Sequence, residues 1–544
     1  MRIASPRHAA VWVACLSHHV AAVNPQNPAE GAARKNAYEI FNAIHSAMRQ
    51  WGSSLNHNGL STFVATVPAG VTLYHGTWRT TPPSGPEWLA FEIEHAELFA
   101  HARWKFPPQE FNTEGSSMPL QRQRGIFFQE ENGYKAGKDE DEDEDSEGHL
   151  QIYRTTKPVR LLYLDGTSAA NSEMGTLDLQ DFVLRGKRNA EIWDEFGRAT
   201  SLCDIVTSWG LQGVIRMEAG FEIIKCDFSD SMELVSNIQR PSGEAQGGGL
   251  GWEGYTEVHP FEWIRAVAQR YHGIGASRVE LDFSSMVSAM FYPVSLTNNK
   301  SPKPNLPRLW YAKEEELRSI RARVEEVVKE RLDGKHGSIN WQEVTDMIIA
   351  RYADRLWFMA ERVQSILELQ GELNHLTNTH VDYSEEKDGY QAAISRCKRH
   401  YLSSVTPETQ EDHLIVAAME EVTHAICYEL FLVRLSLENQ IRLDKLKYNG
   451  NVPAARANRF LESYKGFIKD LMKQLRWTRW KECTTCGFDE VCFAPLWPVG
   501  DKDSYEKPNC RNHSSIQKGW WDNRYWDMPK RMPHLPKPPV REDL

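Results

Sequence analysis

The stretch GVTLYHGTWRTTPPSGPEWLAFEIEHAELFA, Gly70 to Ala100, decides how the rest of the chain is read. Two runs rich in β-branched and aromatic residues, 71–76 and 87–92, flank a Pro- and Ser-containing segment, which predicts two strands joined by a loop. The first run ends in His75-Gly76-Thr77, where Gly lets the backbone come close to a neighbour or a flat ligand. After the second run, Ala96 and Ala100 stand four residues apart, on one face of a short helix.

Outward from this stretch, residues 37–51 read as a helix, with Ile40, Phe41, Ile44 and Met48 at helical spacing. Strand-like runs follow at 150–156, 159–165, 213–217 and 221–228. A helix over 190–210 interrupts them and closes on Gly210. Short strands around few helices predict an α+β domain over 24–235. An insertion at 105–148 carries KDEDEDEDSEG (Lys138 to Gly148), whose self-repulsion predicts disorder. The Gly-rich run 240–254 marks 236–300 as a linker and connecting segment.

Beyond it the period changes. Leu317, Ile320, Val324 and Val327 line one face of a helix over 313–332. Further helices are expected at 341–375, 385–401, 413–448 and 454–475. The spacing of Ile426, Leu430, Val433, Leu437 and Ile441 makes 301–475 an all-α helical bundle. The last part, 476–544, is a Cys/Trp-rich cap too poor in core to fold alone.

The chain has 544 residues and a net charge of -11, so no basic surplus exists to coat nucleic acid. No apolar run is long enough for a transmembrane helix. Residues 1–23 place basic residues, an apolar run and small residues in the order of a signal peptide, which implies a secreted protein; the alternative is a cytoplasmic one. Nine cysteines are present, and removal of Cys15 with that segment leaves eight. Cys483, Cys486, Cys492 and Cys510 are disulfide candidates, while Cys483, Cys486, Cys510 and His513 have a spacing that suits a structural zinc. Glu372/His375 and Glu421/His424 repeat the Glu-x-x-His of di-iron bundles, but with His and Glu this abundant they read as helix-surface pairs. Walker, Gly-x-Ser-x-Gly, His-Glu-x-x-His and dinucleotide Gly motifs are absent from the sequence.

Three segments together carry a resemblance. Leu73-Tyr74-His75-Gly76-Thr77, the EWLAFEIEHAELFA block and WGLQGVIRMEAGFEIIKCDF (209–228) resemble, in order, the motifs of the ADP-ribosyltransferase fold, in its poly-ADP-ribose polymerase and diphtheria-toxin branch. The resemblance covers about 60–235 and implies a split sheet with NAD as co-substrate. His75, Gly76 and Thr77 would cradle nicotinamide ribose, Phe91 would stack on the ring, and Glu222 would be the catalytic carboxylate, with Glu218 as its neighbouring alternative. Position 220 is Gly, so the Glu-x-Glu of arginine-modifying relatives is missing, which turns the expectation toward NAD hydrolysis or an unknown protein or small-molecule acceptor. The chain also resembles a group of secreted filamentous-fungal proteins that brings no activity. The rival expectation is a non-catalytic interaction protein that uses this fold as a scaffold.

Overall fold

The computed structural model describes residues 27–100, 147–240, 260–299, 305–334, 337–384, 389–449, 451–516 and 525–526. The signal segment 1–23 and nearly all of the acidic insertion lie outside the described residues. Among the described residues, no helix is long and apolar enough to cross a membrane.

Nine strands form one mixed sheet: β1 (Ser61–Val67), β2 (Thr72–Thr77), β3 (Glu87–Ala90), β4 (His149–Thr155), β5 (Val159–Leu164), β6 (Gly213–Met217), β7 (Phe221–Lys225), β8 (Met232–Gln239) and β9 (Glu280–Ser288). Their spatial order is β8-β4-β2-β3-β7-β6-β5-β1-β9. Among the described strands, only β5 and β6 run parallel. The joint between β2 and β3 is the thinnest, a single register pair Tyr74↔Ala90. The expected α+β architecture is present. Strands β6 and β7 are buried along their whole length, as their unbroken apolar runs require when both faces are covered.

Short helices α1 (Glu30–Lys35), α2 (Ala37–Ser46) and α3 (Gln50–Leu55) precede the sheet. The single helix read over 37–51 breaks where Met48 takes a left-handed φ of 54°. Helix α4 (Ile93–Glu97) follows β3, and α5 (Glu195–Ser208) precedes β6. Asp194 caps α5 by accepting from the Gly197 amide at 3.1 Å. The segment read as linker, 236–300, instead holds α6 (Pro260–Ala268) and edge strand β9, which pairs with β1.

The helical half comprises α7 (Glu314–Leu332), α8 (Trp341–Glu361), α9 (Ile366–Thr377), α10 (Gly389–Arg399), α11 (Gln410–Tyr448) and α12 (Ala454–Leu475). The run 341–375 divides because Ser365 accepts from the Glu368 amide and starts a new helix. Ile426, Leu430, Val433 and Leu437 are buried along α11, as the stripe predicts. Sheet and bundle share one apolar core, in which Phe41, Phe63 and Ile215 are continuous with Trp341, Leu430 and Trp477.

Four disulfides join the eight described cysteines: Cys203–Cys226, Cys397–Cys427, Cys483–Cys492 and Cys486–Cys510. All four disulfide candidates of the cap are therefore oxidised, and the zinc spacing is crossed by two bonds that take up Cys483, Cys486 and Cys510.

Candidate functional site

Strand alternation decides which of the expected site residues meet. Ala90 pairs with Tyr74 on one side and with Glu222 on the other, and Glu222 pairs with Arg216. These four share one face of the sheet, because paired residues project to the same side. His75, next to Tyr74, takes the opposite face. Its Nδ1 lies 2.7 Å from the Trp88 carbonyl oxygen, and its ring packs against Phe228. Burial pulls the His75 ring down to about 4, so it is neutral.

Gly76 is pressed by its own chain. A Cβ there would lie 2.0 Å from the Ala96 carbonyl oxygen and 2.7 Å from the Ala100 nitrogen, so the close approach is made by α4 and the turn after it. Thr77 Oγ1 accepts from the Arg79 amide. Phe91 is buried in the core under the Arg278 guanidinium. The aromatic that meets Glu222 is Trp88, whose side chain hydrogen-bonds the carboxylate and whose ring stands edge-on to exposed Phe196 at 4.9 Å. Sequence reading passed over Trp88. Its place two residues before Ala90, and so on the carboxylate's face of the strand, was the signal available.

Around Glu222 a chain of alternating charges crosses the buried region. Asp181 accepts from Arg185 at 2.7 Å and from Arg198 at 3.1 Å. Arg198 also donates to Glu195, which accepts from Arg216 at 2.5 Å. Arg216 Nε donates to Glu222 at 2.7 Å and its Nη1 to Gln180 at 3.3 Å. Gln180 and Asp181 stand on a π-helical turn, Leu179–Leu184, a local geometry that recurs at functional sites.

The cations Arg185, Arg198 and Arg216 are matched by Asp181, Glu195 and Glu222, with the exposed Asp194 carboxylate a further partner of Arg185 at the rim. Glu218, at the start of the β6–β7 turn, is one buried carboxyl too many. Burial first, then the Glu222 charge, pushes it well above the ordinary carboxylate range. Burial raises Glu222 too, but Arg216 opposes that rise. The pair therefore holds its proton on Glu218 and its charge on Glu222. Burial also works against Glu195, yet Arg216 and Arg198 outweigh it and hold Glu195 low.

His95, on α4, completes the cluster. Donor atoms of His95, Glu218 and Glu222 all lie within 4.8 Å of one another, the spacing of a three-ligand metal set. The ring's tautomer does not suit one. Trp263 on α6 donates its indole N–H to His95 Nδ1 at 3.2 Å, which leaves the proton on Nε2, the nitrogen facing Glu218 at 3.5 Å. A ligated Nε2 would move that proton against the indole donor. The Glu-x-x-His pairs remain apart from any such cluster: Glu372 is held by Arg355, and His375 and His424 are exposed.

The comparisons with known proteins bear on this region. Residues 29–246, which include β1 through β8 and every member of the charge chain, match a family model described as the YPL277C N-terminal domain. The chain is similar to "Uncharacterized protein YOR389W" of Saccharomyces cerevisiae, 25% identical over 86% of this chain and 82% of the relative. It is also similar to "Uncharacterized protein YPL277C" of the same yeast, 27% identical over 62% of this chain and 77% of the relative. No solved structure matches. Neither printed description mentions ADP-ribosyl transfer, and both relatives come from a yeast, so the likeness extends beyond the filamentous fungi expected from the sequence. The matches support an uncharacterised family, and the family model's match is confined to the N-terminal part of this chain.

Proposed function

We propose that the chain is a secreted enzyme that breaks a glycosidic bond at an anomeric carbon, with NAD as co-substrate and water or a hydroxyl as acceptor. The observation that supports it is the surplus carboxyl Glu218 beside the charge-balanced Glu222. Two carboxyls within a few ångströms, pushed to different protonation states, are the equipment of glycosyl chemistry.

In this reading, Glu222 opposes the positive charge that builds on the ribose as the C1′–N bond breaks. The bonding electrons pass to the ring nitrogen, so nicotinamide leaves neutral and needs no acid. A cationic ring docking beside Glu218 favours loss of its proton. The carboxylate then takes a proton from the attacking oxygen as the C1′–O bond forms. His75 acts at a distance, by bracing the Trp88 backbone. Secretion is supported by the oxidised cysteines, which persist in oxidising compartments.

The test is nicotinamide release from NAD by the purified protein and by Glu222→Gln. Release that falls at least a hundredfold supports the assignment. No release by either form, with NAD and with other glycosides, sinks the enzyme reading.

A second reading, a non-catalytic interaction protein, rests on exposed Leu432, Leu435, Leu443 and Leu446 along α11. Such a stripe on a helix is apolar surface that a partner could cover.

A further inference from the structure

We infer that His95 is a positioning residue for Glu218, and that Trp263 sets it in that role by fixing its tautomer; the catalytic meaning of this arrangement rests on the function proposed above. His95 is almost fully buried, and its Nε2 makes no hydrogen bond of normal length. A buried N–H without a partner is costly, and the Glu218 carboxyl 3.5 Å away is the acceptor that faces it.

Two neighbours fix the ring in place. Trp263 occupies Nδ1 as a donor and stacks beside the ring with centroids 6.1 Å apart. Gly220, at the close of the β6–β7 turn, also lies against the ring: a Cβ there would lie 3.0 Å from His95 Nδ1. A Glu at position 220, as in arginine-modifying enzymes, would therefore crowd the His95 ring.

The result is a directed series of donors. Trp263 donates to His95 Nδ1, and His95 Nε2–H points at Glu218. On the far side, Glu218 meets Glu222, which Arg216 holds. Burial keeps the His95 ring neutral, at about 4, through the physiological range. It is therefore a constant donor, and the groups that face Glu218 and titrate or carry charge are His95, Glu222, Arg216 and Glu195. A neutral donor favours the ionised form of its acceptor. His95 thus keeps the Glu218 carboxyl oriented and limits how far burial raises it.

The experiment uses full-length protein with 15N-labelled histidine and 13C-labelled glutamate carboxyls, read by NMR without any substrate. The expected result is one non-titrating ring protonated at Nε2 alone, which gains an Nδ1–H population in Trp263→Phe. In His95→Leu the Glu218 carboxyl should titrate about one pH unit higher, the size of one lost hydrogen bond. His95→Gln, which restores an N–H at the same reach, should return most of that shift. A ring protonated at Nδ1, or one that titrates near its ordinary value, overturns the inference. So does a Glu218 titration unchanged in His95→Leu; if that variant does not fold, the Trp263→Phe tautomer decides alone. If these shifts appear in a protein that releases no nicotinamide, the positioning stands and the catalytic reading falls.

Discussion

His75 and Glu222 project from opposite faces of the same sheet, separated by β3, because Tyr74, not His75, shares a register with Ala90 and Glu222. The two residues most prominent in the sequence therefore divide their roles. His75→Asn, which keeps a donor near the Trp88 carbonyl, should change nicotinamide release less than tenfold. Glu222→Gln should reduce it by roughly a hundredfold or more. Equal losses in kcat for both variants would place them in one cleft and overturn the division.

Stability should be nearly flat from about pH 4.5 to 6.5 and fall steeply below. Burial holds His57 down at about 3 and His75 and His95 at about 4, so the folded chain refuses protons that the unfolded chain takes below about 6.5. Burial raises Glu92 and Asp165 to about 7, and Glu218 too, so the folded chain keeps protons that the unfolded chain sheds above about 4.5. The two sets cancel in the window between. Below it the histidines still differ, and so do carboxylates held low by arginines, such as Asp346 at about 2 and Glu195, so stability drops steeply as pH falls. From 6.5 through 7 the carboxyls ionise at a cost, so stability falls slightly as pH rises. Denaturant titrations from pH 3.5 to 8 check the profile; a steady rise from pH 5 to 8 contradicts it.

Glu218→Gln should stabilise the fold, which is unusual for a candidate site residue. A carboxyl whose folded value is raised supports the fold only below its unfolded value and opposes it as pH climbs. The variant should match wild type near pH 4 and exceed it in thermal midpoint at pH 8. No gain at pH 8 would mean that Glu218 is paired in solution.

The bond between Cys203 and Cys226 ties α5, which carries Glu195, to the end of β7, which carries Glu222. Its sequence separation is 23, so Cys203→Ala/Cys226→Ala should cost about 3 kcal/mol. Thiol titration of the native protein should find none of these eight cysteines free. Stoichiometric zinc with free Cys483, Cys486 and Cys510 would reinstate the metal reading of the cap.

Gly70 and Gly166 both have positive φ, of +87° and +70°, but only one is enclosed. A Cβ on Gly70 meets nothing within 4 Å, whereas one on Gly166 would lie 2.4 Å from the Gly59 nitrogen. Gly70→Ala should cost about 1–2 kcal/mol, the backbone strain alone. Gly166→Ala adds backbone overlap and should cost several kcal/mol more or prevent folding. Equal midpoints for the two variants would show that the loops around Gly59 yield.

The sequence made the strand pairs and helix stripes legible because their periods are local. The bundle stripe at Ile426–Leu437 and the strand runs at 213–217 and 221–228 were visible for that reason. Strand β9 was not, since Glu280–Ser288 gains its identity from β1, more than two hundred residues upstream. The carboxylate Glu222 was found through its motif, but Arg216, Glu195 and Trp88 were not. Their significance comes from register and from an ion pair across elements, neither of which leaves a pattern in a single segment. His95 lay inside the opening stretch, yet its tautomer is set by Trp263, 168 positions away.

The Trp51 indole donates to the Thr478 carbonyl oxygen, and Asn42 donates to that of Leu475. These helices, which precede the sheet, thus settle on a surface made hundreds of residues later. Until the last helix of the bundle and the turn after it are synthesised, α2 and α3 lack these two partners, and until Glu280–Ser288 is made β1 lacks its edge partner. This chain completes its fold only after synthesis is nearly finished, and in the interval it presents incompletely covered apolar helices to whatever surrounds it.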